Sequence, residues 1–258
     1  MSWLEIITLA LLPAFLLLDL IHPPRGERNR WWRSRAFAVS AFNFMLAMTI
    51  GQAYGAAFGD FHIFNGAALG TVGGALVGIL VYELFHYTYH RAAHRYDGLW
   101  RMGHQMHHSA ESLDAWGAYF LHPLDAAVFT TLSSLVLFPL LGLSPVAGGL
   151  AAAFITFCGV FQHANLKTPR WVGYLVQRPE SHAVHHERGV HAYNYSDLPL
   201  WDMVFGTFRN PAADRPLPQQ GFYDGASARL LDMLLFRDVS LPRGGAGGAA
   251  PVRDSGGA

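Results

Sequence analysis

The chain has a single cysteine, Cys158, a single lysine, Lys167, and little charge of either sign. One cysteine excludes a disulfide framework, a cysteine-built zinc site and an iron–sulfur cluster, which takes several thiolates. Charged residues make up 14% of the 258 residues, against about 25% in an ordinary soluble domain. With 52% hydrophobic residues and a mean hydropathy of +0.20, the composition excludes an intrinsically disordered chain. Eighteen basic residues balance eighteen acidic ones, so no net field draws in a nucleic acid. No internal repeat and no linker divide the chain. Residues 1–242 read as one membrane-embedded domain, and 243–258, rich in Gly and Ala, as a disordered tail.

Long apolar runs take the place of charge. Crossing a hydrocarbon core takes roughly 17–25 residues. Trp3 to Leu20 is the first such run, and Ala36 to Phe58, with no charge, is the second. Ala67 to about His86 meets only Glu83. Ala126 to Gln162 is uncharged and, at 37 residues, too long for one span. Pro139, Gly142 and Pro145 at its middle predict a turn between two helices. The first run lacks the basic region and small-residue cleavage site of a signal peptide, so it reads as a span. The expectation is an all-α, multi-pass helical membrane protein with about 4–5 spans. Leu230, Leu231, Leu234 and Leu235, between Arg229 and Arg237, predict a short interfacial or docking helix.

Arginine sets the expected orientation. Arg25, Arg28, Arg30, Arg33 and Arg35 follow the first run, while Ala36 to His90 and Met102 to Leu166 hold no Lys or Arg. The positive-inside rule then places 22–35, 87–122 and 163–258 in the cytoplasm, and the N-terminus, 59–66 and 139–145 on the far side or within the membrane. Counting His86 at the border of the second segment, thirteen of the fourteen histidines share the cytoplasmic side, His62 being the exception.

Those histidines are the anomaly. They cluster as His90-Arg-Ala-Ala-His94, His104-Gln-Met-His107-His108 and His182-Ala-Val-His185-His186. Residues three or four apart share a helix face, so each cluster aims two or three imidazoles at one point. At this histidine content, random placement predicts about 0.04 occurrences of His-x-x-His-His; two are present. A lone histidine is usually a satisfied polar residue, but eight imidazoles packed at a membrane face need something to pair with. A shared metal does so, and eight nitrogen donors exceed what one ion uses, so two metals are the economical reading. Imidazole ligation leaves iron and zinc both open.

The pattern resembles the fatty acid hydroxylase / sterol desaturase superfamily of membrane-bound histidine-box diiron enzymes, over about Glu83 to Pro211. The resemblance rests on Tyr87-x-x-His90-Arg91-x-x-His94, Leu99-Trp100, His104-x-x-His107-His108-Ser109 and His122-Pro123-Leu124. It continues through His163-Ala164-Asn165, His182-x-x-His185-His186, Asn194-Tyr195 and Trp201-Asp202-x-x-Phe205-Gly206-Thr207. It implies two Fe ions, with zinc substitution possible, held by His90, His94, His104, His107, His108, His182, His185 and His186, with His163 as a further ligand. Glu83 stands where the family more often has Asp, three residues rather than two separate Trp100 from His104, and Ser196 replaces the usual Gly after Tyr195. His86, four residues before His90, is a candidate tenth ligand or hydrogen-bond partner of one. His122 and His191 are candidates for the same roles or for ordinary polar ones, and His22 and His62 for solvent or interface positions. Asn165, Asn194, Asp202, Glu83 and Asp125 are candidate partners for the free N–H of a metal-bound imidazole, or plain capping residues.

The resemblance implies an oxidoreductase that uses O2 and two electrons to hydroxylate or desaturate a lipid (a fatty acyl chain, sterol or related isoprenoid) entering from the bilayer. Trp116, Tyr119, Phe120, Trp171 and Tyr174 are candidates to line that route or to form an interfacial aromatic belt. No G-x-G-x-x-G lies between a strand and a helix, so neither flavin nor nicotinamide is expected. Haem is not expected either, since the paired histidines of a b-type carrier do not come as His-x-x-His-His runs. The roughly 47 residues after Pro211 are short for an electron-transfer domain. A separate cytoplasmic donor of ferredoxin or cytochrome type, with its reductase, is expected, and a bacterial inner membrane is the expected location. The rival reading is a histidine-rich metal-ion carrier, which would place ionisable groups at mid-membrane.

Overall fold

The computed structural model describes residues 3–21, 30–212 and 216–243. His22, Arg25, Arg28 and the tail beyond Arg243 therefore lie outside the described residues. The described residues are helical and turn-rich, with one isolated bridge, Glu187 to Gln220, and no strand.

Five long helices form a bundle: α1 (Trp3–Ile21), α2 (Trp32–Phe58), α3 (Gly70–Arg95), and, beyond two short helices, α6 (Pro123–Leu135) and α7 (Pro145–Phe161). The short ones are α4 (Asp97–Leu99) and α5 (Gln105–His108); α8 (Pro179–His185), α9 (Pro199–Val204) and α10 (Leu230–Leu234) follow the bundle. Three stretches are long and apolar enough to cross a membrane: Trp32–Phe58, Gly66–Arg95 and Pro123–Leu140. Ala10–Ile21 and Pro145–Phe161 are shorter apolar helices. The outward side of α2 shows Phe37, Phe42, Phe44, Met45 and Met48, all exposed, which suits acyl chains as neighbours rather than water.

The long run of 126–162 does divide at its prolines. Pro139 sits in a π-helical turn, Val136–Leu140, and Ser144 caps α7 by accepting the Ala147 N–H. That division turns the chain back at the far end of the bundle. There Ile63, Phe64, Gly66 and Ala67 donate backbone N–H groups to the carbonyls of Pro139, Leu140, Leu141 and Gly142. The 59–66 and 139–145 segments thus lie against each other at one end. Close packing on α3 depends on missing side chains. A Cβ on Gly78 would stand 2.7 Å from Leu143 Cδ1, and one on Gly74 3.2 Å from Ala147 Cβ, the small-residue device by which apolar helices approach.

At the opposite end, buried polar contacts hold α1 and α2 to the loops. The Asp19 carboxylate accepts the N–H groups of Ala115 and Asn165, and Trp32 Nε1 donates to both oxygens of Asp114 at 3.1–3.2 Å. Trp32, Trp100, Met106, Phe120, Phe222 and Met233 form the core beneath them. Phe120 is fully buried there, edge-on to Trp32, so it is a core residue and lines no surface route. Trp171 and Tyr174 are exposed. Of the leucines near the C-terminus, Leu231 and Leu235 are exposed on and beside α10, while Met233 packs inward.

Candidate metal centre

The nine histidines of the three clusters and His163 come together at the Asp19 end of the bundle, all buried. They form two groups. His90, His94, His104, His108 and His185 make one, and His107, His163, His182 and His186 the other. Neither His-x-x-His-His run serves a single group. His104 and His108, four apart, face the first while His107 turns to the second; His182 and His186 face the second while His185 turns to the first. Helix geometry causes the division, because an adjacent residue is turned by about 100°.

Local structure sets each ring. His86, His90 and His94 follow one face of α3 at four-residue intervals. Trp100–His104 is a π-helical turn that closes with the Gln105 N–H on the Trp100 carbonyl. Such a turn accommodates one extra residue, and here it takes up the third residue between Trp100 and His104. Gly103 makes room for it, since a Cβ there would stand 3.0 Å from Asp125 Cβ.

The five-histidine group is oriented by hydrogen bonds at Nδ1. His90 Nδ1 donates to the Tyr195 carbonyl (2.7 Å), His94 to the His191 carbonyl (2.8 Å) and His185 to the Tyr193 carbonyl (2.7 Å). His104 Nδ1 lies 2.8 Å from Asp125 Oδ2, whose other oxygen accepts from Tyr89. A carbonyl only accepts, so these rings carry their proton on Nδ1 and present the Nε2 lone pair. Nε2 of His90, His94 and His185 is buried with no partner, a costly state unless a cation takes the lone pair. In the other group, His163 Nδ1 donates to the Gly159 carbonyl, and its Nε2 faces His107 Nε2 at 3.1 Å and His182 Nε2 at 3.0 Å. His186 Nε2 is 3.0 Å from His182 Nε2. Two nitrogens at right angles on an ion about 2.1 Å from each would be about 3.0 Å apart. The donor set therefore fits two metal ions.

Burial first, and neighbouring imidazoles next, hold His107, His108, His182, His185 and His186 well below the ordinary histidine value. Burial likewise lowers His163 to about 4. These rings are neutral near pH 7, the form that binds metals.

Three of the carbonyls belong to one strap, residues 191–195, in which alternate carbonyls point at three rings. The strap needs left-handed backbone at His191 (φ 45°), Tyr193 (φ 70°) and Asn194 (φ 49°). Asn194 pins it: Nδ2 donates to the carbonyls of Ser181 and Arg209, and Oδ1 accepts the Arg209 N–H. Asp202 holds its end, accepting from Tyr195 N, Ser196 N and Thr207 Oγ1. Burial raises this carboxyl to about 6. Sequence reasoning singled out Asn194 and Asp202 but not the strap. Its one legible signal was Asn at a position needing positive φ.

The remaining candidates lie elsewhere. His191 Nδ1 is 3.1 Å from His108 Nδ1, beside the first group. His122 is in neither group and caps α6 by accepting the Leu124 N–H. The backbone of Asn165 donates to Asp19. His62 is exposed at the far end, bonded to the Asp60 carbonyl. His86 is in neither group and sits with Glu83 and Asp197. Glu83 Oε2 accepts from Ser196 Oγ at 2.7 Å, so two of the departures from the family pattern contact each other.

The sequence profile of the fatty acid hydroxylase family matches residues 75–207, half of the chain, and this stretch carries all nine grouped histidines. The chain belongs to the fatty acid hydroxylase family, a membrane-bound class, and its apolar helices make it a multi-pass helical membrane protein. Sphinganine C4-monooxygenase 1 of Arabidopsis thaliana is 28% identical over 134 residues, covering 50% of this chain and 52% of the relative. A very-long-chain aldehyde decarbonylase of Oryza sativa subsp. japonica is 29% identical over 140 residues, 51% and 53% of the two chains. Ornithine lipid hydroxylase OlsE of Rhizobium tropici is 29% identical over 140 residues, 53% and 42%. The chain spans about half the length of the curated relatives it matches. No solved structure matches it.

Proposed function

We propose that this chain is a non-haem diiron lipid hydroxylase or desaturase, with one iron in each histidine group. The observation that carries the reading is the convergence of buried Nε2 atoms into a group of five and a group of four, with Nδ1 of several rings held by carbonyls. Bound there, iron would supply O2 activation and removal of hydrogen from an unactivated C–H bond, chemistry that no side chain offers. The protein's own part is positioning. His90, His94, His104, His108 and His185 would hold one ion, and His107, His163, His182 and His186 the other. Asp125 and the strap aim the rings, and burial keeps them neutral and the site dry. The relatives named as hydroxylases of sphinganine and of ornithine lipid support an amphiphilic substrate with a long hydrocarbon chain, reaching the site from the bilayer. The arginine distribution supports a cytoplasmic position for the histidines, in a bacterial inner membrane. Two electrons per turnover would come from a separate ferredoxin- or cytochrome-type donor and its reductase.

The test compares lipid extracts of membranes with and without the chain by mass spectrometry, seeking gain of one oxygen atom or loss of two hydrogens. Purified protein with lipid and O2 alone should be inactive, and adding a reductase with its carrier should restore turnover. Sustained turnover without a reductant would overturn the oxygenase reading. Loosely held, readily exchanged metal with unchanged lipids would favour a metal-ion carrier, although all nine grouped histidines lie at one end of the bundle.

A further inference from the structure

Among the described residues, Glu83 Oε1 is the one buried carboxylate oxygen with no hydrogen-bond partner. The contrast with the other buried acids is sharp. Asp19, Glu111, Asp125 and Asp202 each have both oxygens bonded to backbone N–H groups, hydroxyls or an imidazole. Glu83 is fully buried on α3, its Oε2 accepting from Ser196 Oγ and the Asp197 N–H. Asp197 lies beside it, 4% exposed, with Oδ1 accepting from Gln162. The third member is His86, whose Nδ1 also lacks a hydrogen bond. That nitrogen is 3.6 Å from Glu83 Oε2 and 4.0 Å from Asp197 Oδ2, beyond hydrogen-bond reach. The ring cannot easily swing away: it is stacked between Tyr82 and His90, with Phe129 edge-on at 5.1 Å. One ligand atom from each residue lies within 4.8 Å of the others.

We propose that Glu83, His86 and Asp197 form a third cation site, for a divalent first-row transition ion, distinct from the two histidine groups. Two adjacent carboxylates out of water, with no Lys or Arg paired to them among the described residues and the His86 imidazole the only basic group within 4.0 Å, are strongly unfavourable without a compensating cation. Burial and the Glu83 charge push the Asp197 carboxyl upward accordingly. One imidazole with two carboxylates suits manganese, iron or zinc, whereas magnesium and calcium prefer oxygen alone. The ion would tie α3 to the 196–198 turn that continues the strap, bracing the carbonyls that orient His90, His94 and His185. This site goes beyond the proposed function and does not depend on it.

Metal analysis of the purified full chain tests it, because the two readings differ in stoichiometry. Wild type should carry about three ions, and Glu83→Gln and Asp197→Asn about two. His108→Ala should lose an ion from the histidine groups and keep the third. Two ions, unchanged in both carboxylate variants, would overturn this site and leave the diiron reading standing, the compensating charge then being a proton. One ion, lost in Asp197→Asn, would do the reverse. Should the variants fail to fold, wild-type protein loaded with Mn2+ answers by pulsed electron paramagnetic resonance. An ion population coupled to a single imidazole nitrogen supports the site, and coupling only to several imidazoles overturns it.

Discussion

A histidine in this chain acquires its role from what its Nδ1 meets. Where that atom donates to a carbonyl or carboxylate, as in His90, His94, His104 and His185, the ring is fixed as an Nε2 donor. His108→Ala should remove a donor and abolish lipid turnover, whereas His62→Ala, exposed at the other end, should leave both activity and metal content within error. Partners of the rings act at one remove. Asn194→Ala should weaken metal retention by about 10–100-fold, the usual cost of losing such support, read as chelator competition. Asn194→Gly should be milder by about 1 kcal/mol, because glycine adopts the left-handed backbone without penalty. The pH response has a definite sign. Burial holds His107, His108, His163, His182, His185 and His186 below the ordinary value, so below about pH 6.5 the unfolded chain binds protons that these folded rings refuse. Thermal stability of metal-stripped protein should therefore fall as pH drops from about 7 to 5. A flat or rising profile would contradict neutral buried rings.

Among the elements, two π-helical turns and one strap carry the geometry. The Trp100–His104 turn presents His104 to Asp125 while leaving His107 and His108 on diverging faces. Gly103→Val should push Asp125 aside and loosen the five-histidine group, visible as lost metal with helicity retained. Packing of α3 against the turn that precedes α7 is equally exacting. Gly78→Val would drive a side chain into Leu143 and Leu137, costing about 1–3 kcal/mol by overpacking, measured by thermal unfolding in detergent.

The whole molecule separates a connecting end from a metal-binding end. The 59–66 and 139–145 turns bond to each other at one end, and the histidine groups occupy the other. Site-directed labelling reads the sidedness: with Cys158 replaced, a cysteine at Ser34 should react from the cytoplasm, and one at Asn65 from outside. Reaction of Asn65→Cys only from the cytoplasm would reverse the orientation.

Much of this was legible in one dimension. Apolar run length announced the membrane helices, and Pro139 with Pro145 announced the turn between the last two, because those signals act within a few residues. The histidine spacing likewise disclosed shared helix faces for eight of the nine residues that meet in space, and the family resemblance supplied the ninth, His163. Sequence alone left undetermined which histidine joins which group, since that depends on the angle at which α3, α5 and α8 converge. Nor did it disclose the strap, whose left-handed residues at 191, 193 and 194 are held by contacts from Ser181, Thr207 and Arg209. Glu83, His86 and Asp197 are the clearest case: the glutamate and aspartate stand 114 residues apart. Local propensity governs what each segment becomes, but only packing brings distant polar groups out of water together and decides which of them lack a partner.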